Sequence, residues 1–287
     1  MLFFGSAAVT WSSKKQPTVA LSSTEAEYKS ATVVACESGS SEITTRWTMT
    51  MRFALLPWKP ELIFTGISVM GINPTTGKFI SHVDYWDSIK NNDYFSLEGV
   101  TDVLKQLWFY KTPNLETPKY SVLKRANVYE VRKYEPFIVV EAQGDQLTGS
   151  KGFKNVTGYI FGNNSTGERI PMTTPVITST IDKSTPNCSI QVVLPLQSKI
   201  SSLPAPLPDT ANLREVSGGM IAAIKFTGET TEELVMGKER ELRSALNADG
   251  LLPKPGFMLA RYNDPGRTWS RIRRNEVLIT LEDFTFE

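Results

Sequence analysis

The sequence has one histidine, His82, and two cysteines, Cys36 and Cys188, in 287 residues. Two cysteines this far apart fit neither the spacing of zinc ligands nor a disulfide framework. On a strand, His82 and Asp84 would point to one side and Asp87 to the other, and two ligands on one face are too few for a metal site. We therefore expect no bound metal ion, and a hydrogen-bonded role for His82.

Net charge and long apolar runs are also nearly absent. The formal net charge is +1, so no overall field attracts nucleic acid or an anionic membrane. The apolar stretch MRFALLPW is broken by Arg52 and Pro57, and it falls short of the ~18–20 apolar residues of a membrane span. The basic run at 267–274 is typical of a solvated loop. These features predict no nucleic-acid partner and no membrane span.

Acidic residues are missing from the first 24 positions, which are rich in serine and threonine. That composition is typical of a plastid transit peptide. The order of the same residues indicates a different origin. The stretch WSSKKQPTVALSSTEAEY, at 11–28, resembles the ribonuclease H signature of copia-type retrotransposon polyproteins, and the resemblance extends over residues 5–37. We interpret residues 1–50 as a remnant of such an element.

The chemistry of ribonuclease H argues against activity in this remnant, because the reaction needs several carboxylates around two metal ions. The resemblance makes Glu27 one of the metal ligands. No acidic residue precedes Trp11, however, and the later aspartates of the family pattern are missing from Ser38 onwards. One ligand does not hold two metal ions, so a metal-dependent nuclease is the least favoured of three functional hypotheses.

Local patterns predict several elements in the first 123 residues. A weak strand is expected at 6–12, followed by a turn at Gln16 and Pro17. Ser23 is placed to cap a helix that ends at the glycine and serines of 38–41. A hairpin is expected with strands at 61–72 and 78–87. A helix is expected at 97–110, and a linker that contains prolines at 111–123.

The rest of the chain repeats one pattern of strand, helix, strand, strand. In the first copy these elements are expected at 128–142, 150–161, 169–181 and 188–195. Three prolines in SSLPAPLPD then interrupt the chain. In the second copy the elements are expected at 214–227, 231–248, 256–263 and 275–283. Two βαββ units whose sheets close against each other predict an α+β fold with a barrel-like core.

This doubled region, at about 126–284, resembles the SOUL haem-binding protein family. The residues that carry the resemblance are YEVRKYEPF (129–137), GYIFGNN (158–164), ERIPMTTPV (168–176), QVVLPL (191–196), ARYNDP (260–265) and RRNEVLI (273–279). The resemblance implies the doubled βαββ fold for a domain at 121–287. It also implies binding of haem or a related tetrapyrrole without catalysis.

The stretch at 51–120 resembles a plant domain of unknown function that precedes SOUL domains. LLPWKPELIFTGIS, HVDYWDSIKNNDYFSLEG and YKTPNLETPKY carry this resemblance. It implies an α+β cone like that of nuclear transport factors, here truncated because the helices that should precede its strands are replaced. We therefore expect Ile63, Phe64, Phe79 and Trp86 to be exposed, on a face that is a possible site for a protein partner.

The tetrapyrrole site must lack a histidine ligand, because His82 lies outside the SOUL-like region. A flat apolar disc with two carboxylates needs an apolar cleft with cations at its rim. The helix at 150–161 has apolar residues at helical spacing and lysines that could reach propionates. The alternative interpretation is that this apolar helix face packs into the core and binds no ligand. The candidate binding residues are Phe153, Lys154, Val156, Thr157, Ile160, Phe161 and Met172.

The leading hypothesis is therefore a non-enzymatic tetrapyrrole carrier that binds through an apolar groove. The alternative is a protein-interaction scaffold with a SOUL fold that no longer binds haem. A Ser-His-Asp triad is excluded, because the single histidine and the GNNSTGE loop at 162–168 lie in different domains. Plant relatives imply the chloroplast, or the cytoplasm if the transit peptide is lost.

Overall fold

The computed structural model describes residues 2–4, 7–9, 24–35, 41–53, 56–88, 97–108, 110–148, 151–180 and 188–282. The chain divides into two compact units, Met1–Trp108 (unit 1) and Phe109–Glu287 (unit 2). Unit 1 contains a short antiparallel pair and a four-stranded antiparallel sheet in which neighbours along the chain are neighbours in space. Its elements are β1 Leu2–Phe4, β2 Ala7–Val9, β3 Thr24–Ala35, β4 Glu42–Phe53, β5 Glu61–Ile72, β6 Phe79–Trp86 and α1 Leu97–Leu107.

The helix predicted after Ser23 is wrong, because residues 24–35 form β3. This segment pairs with β4 along its length, from Thr24 opposite Phe53 to Ala35 opposite Thr44. The threonines and valines of TEAEYKSATVVA suit a strand, and pairing with a long neighbour outweighs the local helical preference of alanine and glutamate. Ser23 itself, the turn at Gln16 and Pro17, and Cys36 lie outside the described residues.

The predicted hairpin and helix of unit 1 are confirmed by β5, β6 and α1. The turn between the strands is held by Asn73, whose Oδ1 accepts hydrogen bonds from the backbone N–H groups of Thr75 (2.9 Å) and Thr76 (3.1 Å). Gly77 has a φ of 66°, a conformation in which glycine carries no steric penalty. The turn chemistry therefore fixes the register of the hairpin.

The expected exposure of the sheet is confirmed for Phe79, which is 61% exposed, and is wrong for Ile63, Phe64 and Trp86, which are half-buried. The Trp86 ring meets Trp47 and Phe64 edge-on, with centroids 5.1 and 5.4 Å away. Packing among these aromatic rings covers surface that the sequence left open.

His82 and its acidic neighbours Asp84 and Asp87 make polar contacts on β6 and just after it. The Nε2 atom of His82 lies 3.0 Å from Asp84 Oδ1, and Ser68 Oγ donates to the same carboxylate. Asp87 accepts from Arg46 and Thr65. Among the residues whose side chains are described, no group of three metal-ligating side chains is present.

Unit 2 is built on one nine-stranded antiparallel sheet with the strand order β12-β9-β11-β10-β14-β15-β13-β8-β7. Its strands are β7 Tyr120–Arg125, β8 Glu130–Tyr134, β9 Phe137–Gly144, β10 Val176–Thr180, β11 Cys188–Val193, β12 Asn212–Val216, β13 Gly219–Phe226, β14 Phe257–Arg261 and β15 Asn275–Thr280. Its helices are α2 Phe153–Ile160 and α3 Glu232–Ala248. None of the described helices is long and apolar enough to cross a membrane.

The predicted doubling is present as β9-α2-β10-β11 and β13-α3-β14-β15. The expectation of two separate sheets is wrong, because β10 pairs with β14 and joins the halves into one sheet. The leading strands are exchanged: β8 pairs with β13, and β12 pairs with β9. Only Glu135 and Pro136 separate β8 from β9, which stand near opposite ends of the strand order. The sheet is therefore curled into a half-barrel.

The curled sheet has an outer face that carries both helices and an inner face that carries none. On the outer face, Val235, Leu242 and Leu246 of α3 form one buried cluster with neighbouring strands, and Val156 and Ile160 of α2 belong to a second. The inner face has its own apolar cluster, which includes Tyr134, Val139, Ile177, Ile221, Ala223, Ala260, Tyr262 and Leu278. Because successive side chains on a strand point to opposite faces of the sheet, each strand contributes apolar residues to both the outer and the inner face.

The stretch 111–123, predicted as a linker, is part of unit 2. Lys111 pairs with Arg273 in an isolated bridge, Glu116 pairs with Thr173, and β7 pairs with β8 at the sheet edge. Val122 is buried. The prolines that suggested a linker instead lie in an extended segment that runs into β7.

We expect residues 109–287 to unfold cooperatively as an isolated fragment, because both faces of their sheet are packed within the unit. A fragment that begins at residue 126 lacks β7, so it loses buried Val122 and the Tyr120 ring 4.5 Å beneath the Arg132 guanidinium. Its free energy of unfolding should be lower by about 2–4 kcal/mol. Urea titration followed by circular dichroism measures both fragments, and equal stability would contradict the assignment of β7 to this unit.

Candidate functional site

Helix α2 lies on the outer face, and its start is fixed by backbone packing. Gly152 precedes the helix with a φ of 82°, and a Cβ atom there would lie 2.4 Å from the Gln143 carbonyl oxygen. The helix therefore begins beside the C-terminal end of β9. It ends at Ile160, whose carbonyl oxygen accepts a 2.9 Å hydrogen bond from the Ile170 N–H. The chain after the helix, which we call the return segment and which includes Met172, therefore comes back to contact the C-terminal end of α2.

The candidate binding residues separate into two groups in the structure. Val156 and Ile160 are buried in the outer-face core. Phe153, Phe161 and Met172 are 39%, 56% and 55% exposed. Lys154 is exposed and Thr157 is half-buried, with the Thr157 hydroxyl donating to the Phe153 carbonyl oxygen at 2.7 Å. Three apolar side chains and one cation are therefore accessible to a ligand on α2 and its return segment.

The loop at 162–168 is a turn organised by buried Asn164. Its Nδ2 donates to the carbonyl oxygens of Tyr159 (3.0 Å) and Glu168 (2.7 Å), and its Oδ1 accepts from the Glu168 N–H (3.1 Å). The side chain thus occupies the inside of the turn, where an anion would otherwise have to bind. The loop is therefore a turn held by its own side chain rather than a phosphate-binding loop.

The inner face contains a cleft that the sequence did not reveal. It encloses about 60 Å³, which is room for only a few water molecules and far below the ~300–1,000 Å³ of typical ligand pockets. Its lining residues come from seven strands, from residues next to their ends and from the segment before β7. They are Thr117, Pro118, Tyr120, Tyr134, Phe137, Pro175, Ile177, Ile221, Met258, Tyr262, Arg274 and Leu278.

An ion network borders the cleft, centred on buried Glu276. Arg132 donates two hydrogen bonds to this carboxylate, at 2.7 and 3.1 Å. Arg274 donates through Nε and Nη2 at 3.0 and 2.8 Å, and the Tyr262 hydroxyl donates at 2.9 Å. Burial opposes ionisation, but the two guanidinium groups outweigh it and hold the pKa of Glu276 well below its usual range. Glu276 is therefore an ionised structural centre.

Lys225 faces the same network from β13, directly opposite Glu276 on β15. Its ammonium lies 5.4 Å from the centroid of the Tyr110 ring. Burial lowers the pKa of Lys225 to about 8, while the carboxylates of Glu130 and Glu276 raise it and nearby arginines lower it further. Part of the Lys225 population is thus neutral near physiological pH.

The side chains that could ligate iron are mostly engaged elsewhere. The Tyr159 hydroxyl donates to the Pro204 carbonyl oxygen at 2.8 Å, and the Tyr134 hydroxyl accepts from Arg132 at 3.2 Å. Burial raises the pKa of the Cys188 thiol, which disfavours the thiolate needed for ligation or nucleophilic attack. Met172 is the candidate ligand that lies exposed beside α2.

Two protein families match the sequence. The family described as "SOUL heme-binding protein" matches residues 115–280, and the family described as "Uncharacterized conserved protein (DUF2358)" matches residues 24–82. The second match begins inside the segment that resembles ribonuclease H, and that resemblance stays a prediction. No curated protein matches the sequence.

Solved structures resemble this chain only distantly. A hydrolase from Listeria innocua has a TM-score of 0.41 and 9% identity, covering 54% of this chain and 92% of its own. The C-terminal domain of EcmrR has a TM-score of 0.41 and 10% identity, covering 57% and 99%. SAV2435, solved with tetraphenylphosphonium, has a TM-score of 0.33 and 9% identity, covering 54% and 93%. Similarities this weak say nothing about ligand or reaction.

Proposed function

Because the chain belongs to the SOUL heme-binding protein family, we propose that unit 2 binds haem or a related tetrapyrrole on the surface of α2 and acts as a carrier, without catalysis. The observation that carries this proposal is the exposure of Phe153, Phe161 and Met172 on α2 and its return segment. Exposed apolar side chains concentrated on one surface are typical of an interaction site. Lys154 supplies a cation at the edge of this surface.

The buried members of the candidate set support the surface from beneath. Val156 and Ile160 pack against β9 and β11, so the disc would rest on the exposed side chains rather than against these two. A porphyrin placed there exchanges water for phenyl rings and a thioether on one side. Full burial of an aromatic or methionine side chain contributes about 1.5–3 kcal/mol, so covering the exposed parts of these three side chains contributes a share of the about −8 kcal/mol of micromolar binding. Removal of the apolar disc itself from water contributes the remainder.

Ligation in this proposal does not use histidine, because His82 is the single histidine of the sequence and lies in unit 1. The thioether of Met172 is the exposed sulfur beside α2. The inner-face cleft is the less favoured location, since its 60 Å³ would have to expand several-fold to admit a tetrapyrrole. A spectrum without the low-spin bis-histidine form is therefore expected.

Haemin titration of the full chain tests the site. Phe161→Asp and Met172→Asp should each weaken haemin binding by about tenfold, because each removes apolar contact worth ~1.5 kcal/mol and adds a charge that repels the propionates. Ile160→Asp is unsuitable, since a carboxylate in the core would unfold the domain. Soret absorbance measures binding.

Two variants serve as controls for the titration. Leu252→Asp changes an apolar side chain that is 62% exposed outside α2, and His82→Ala removes the single imidazole. Both should bind haemin like the wild type. Loss of the Soret shift in His82→Ala, with binding intact in Phe161→Asp, would place the iron in unit 1 and reject the α2 surface. A wild-type chain without any Soret shift would favour the interaction scaffold.

Three further proposals concern the location of the protein and the rest of the chain. The plant resemblance favours the chloroplast, and a fluorescent fusion followed in plant cells would show whether the protein reaches it. The exposed side chain of Phe79 on β6 supports a protein-binding role for unit 1. Cleavage of an RNA–DNA hybrid by the purified chain would overturn the interpretation of residues 1–50 as an inactive remnant.

A further inference from the structure

Arg261 is a half-buried arginine on the outer face of the sheet, the face that carries α2. It is the last residue of β14. Two and four residues earlier, Leu259 and Phe257 pack in the cluster beneath α3, whereas Met258 and Ala260 belong to the inner face. Because side chains alternate along a strand, Arg261 points to the outer side, where the two helix-covered clusters meet.

The Arg261 guanidinium has one hydrogen-bond acceptor within the described part of the chain. Its Nη2 donates to the Thr178 hydroxyl at 2.8 Å, while its Nε is buried without a partner. By contrast, Arg132 and Arg274 both bind the Glu276 carboxylate. Burial lowers the pKa of Arg261, and among the described residues no carboxylate opposes that effect. A half-buried cation with one neutral acceptor is costly and calls for an anion.

The surroundings of Arg261 connect it to the exposed surface of α2. Arg261 lies directly opposite Val176 on β10, and Val176 packs against the α2 cluster. Met172 precedes Val176 by four residues, which span at most ~14 Å. Helix α2 starts beside Gln143 and ends near Ile170, so Phe161 lies at the end of the sheet that carries Arg261. The apolar surface and the Arg261 guanidinium therefore share one end of the outer face.

We propose that Arg261 binds a carboxylate of the ligand on the α2 surface, which for a tetrapyrrole is a propionate. This inference rests on the proposed function and names a contact that holds the ligand in place. A planar guanidinium donates hydrogen bonds to a carboxylate, and Thr178 occupies only the Nη2 group of Arg261, a side chain that is half-buried rather than fully enclosed. Lys154 at the other end of α2 is solvated and contributes less.

Haemin and haemin dimethyl ester, titrated into the full chain, separate this contact from the apolar surface. Wild-type protein should bind haemin about 10- to 100-fold more tightly than the ester, as expected for a hydrogen bond to a charged group. Arg261→Met should lose that preference by weakening haemin alone. Arg261→Lys should keep part of it, because the charge remains while the fork is lost. Arg214→Met, which removes an exposed arginine paired with Glu141, is the matched control.

The outcomes distinguish the contact from the proposed function. Equal affinity of the wild type for haemin and its ester would overturn the contact while leaving tetrapyrrole binding in place. Equal weakening of both probes by Arg261→Met would also overturn it, since Arg261 would then only shape the surface. Absence of binding to either probe would overturn the proposed function itself. The comparison in the wild type needs no variant, so a destabilised Arg261→Met would not block the test.

Discussion

Glu276→Gln should lower the free energy of unfolding of the protein by about 3–5 kcal/mol, the usual effect of breaking a buried ion pair. The substitution keeps the shape of the side chain and removes its charge. Arg132 and Arg274 then face a neutral amide in a buried site, and between one and three of their four hydrogen bonds meet an amide N–H instead of an oxygen, depending on how the amide is oriented. Tyr262 loses a charged acceptor as well.

Denaturant unfolding at pH 7 measures this loss, and Glu215→Gln, an exposed glutamate on β12, should change stability by less than about 0.5 kcal/mol. The folded pKa of Glu276 lies well below the value of 4.5 for a free side chain. Its contribution is therefore complete above pH 4.5 and is lost as the pH falls towards the folded pKa. The difference between wild type and variant should narrow under acid. A constant difference would argue that Glu276 is not ionised in the folded protein.

Lys225→Met should have the opposite effect and stabilise the protein at pH 7 by up to about 3 kcal/mol, which is the equivalent of a pKa shift of two units or so. Burial is the main cause of the low pKa of Lys225. The ion network already holds three arginines, Arg125, Arg132 and Arg274, for two carboxylates, Glu130 and Glu276. The positive charge of Lys225 is therefore poorly compensated by the carboxylates of the network. A methionine side chain has a similar length and fills the same space without a charge.

The pH dependence gives this prediction its sign. Well below pH 8 Lys225 is protonated in both the folded and the unfolded state, and the cost of burying its charge is complete. Between the folded pKa of about 8 and the unfolded value of ~10.4, the unfolded chain binds more protons, so the wild type gains stability as the pH rises. The advantage of Lys225→Met should thus disappear by about pH 10.5. Lys133→Met, an exposed neighbour on β8, should show no such trend, and a parallel trend in that control would contradict the assignment.

Elements with strong local signals could be predicted from the sequence alone. Helix α3 was expected at 231–248 and is found at Glu232–Ala248, with the Thr231 hydroxyl accepting from the Leu234 N–H at 3.3 Å. Here the cap, the acidic first turn and the apolar spacing agree. Residues 24–35 carried a conflicting signal, because their alanines favour a helix while their partner strand lies elsewhere in the chain.

The candidate site shows where sequence reasoning ends. Apolar spacing on α2 identified one helix face, but spacing does not tell a packed face from a binding face. Val156 and Ile160 proved to be core, and Phe161 lies at the exposed end. Arg132 and Glu276 stand 144 positions apart, and the pairing of β10 with β14 places Arg261 beside Thr178, its one hydrogen-bond acceptor among the described residues. Contacts between residues so far apart in the sequence depend on the tertiary fold, which local patterns do not show.

The exchange of β8 and β12 between the halves has a consequence for synthesis on the ribosome. When residues 130–134 leave the exit tunnel, their partner at 219–223 has not yet been translated, and β9 likewise waits for residues 212–216. The first half therefore emerges with unpaired strand edges and acquires its neighbours only when the second half begins. Contacts of such long sequence separation slow folding and leave a nascent chain open to association with other chains. The curled sheet is thus completed late, after the second half has been translated, and the two halves acquire their final structure together.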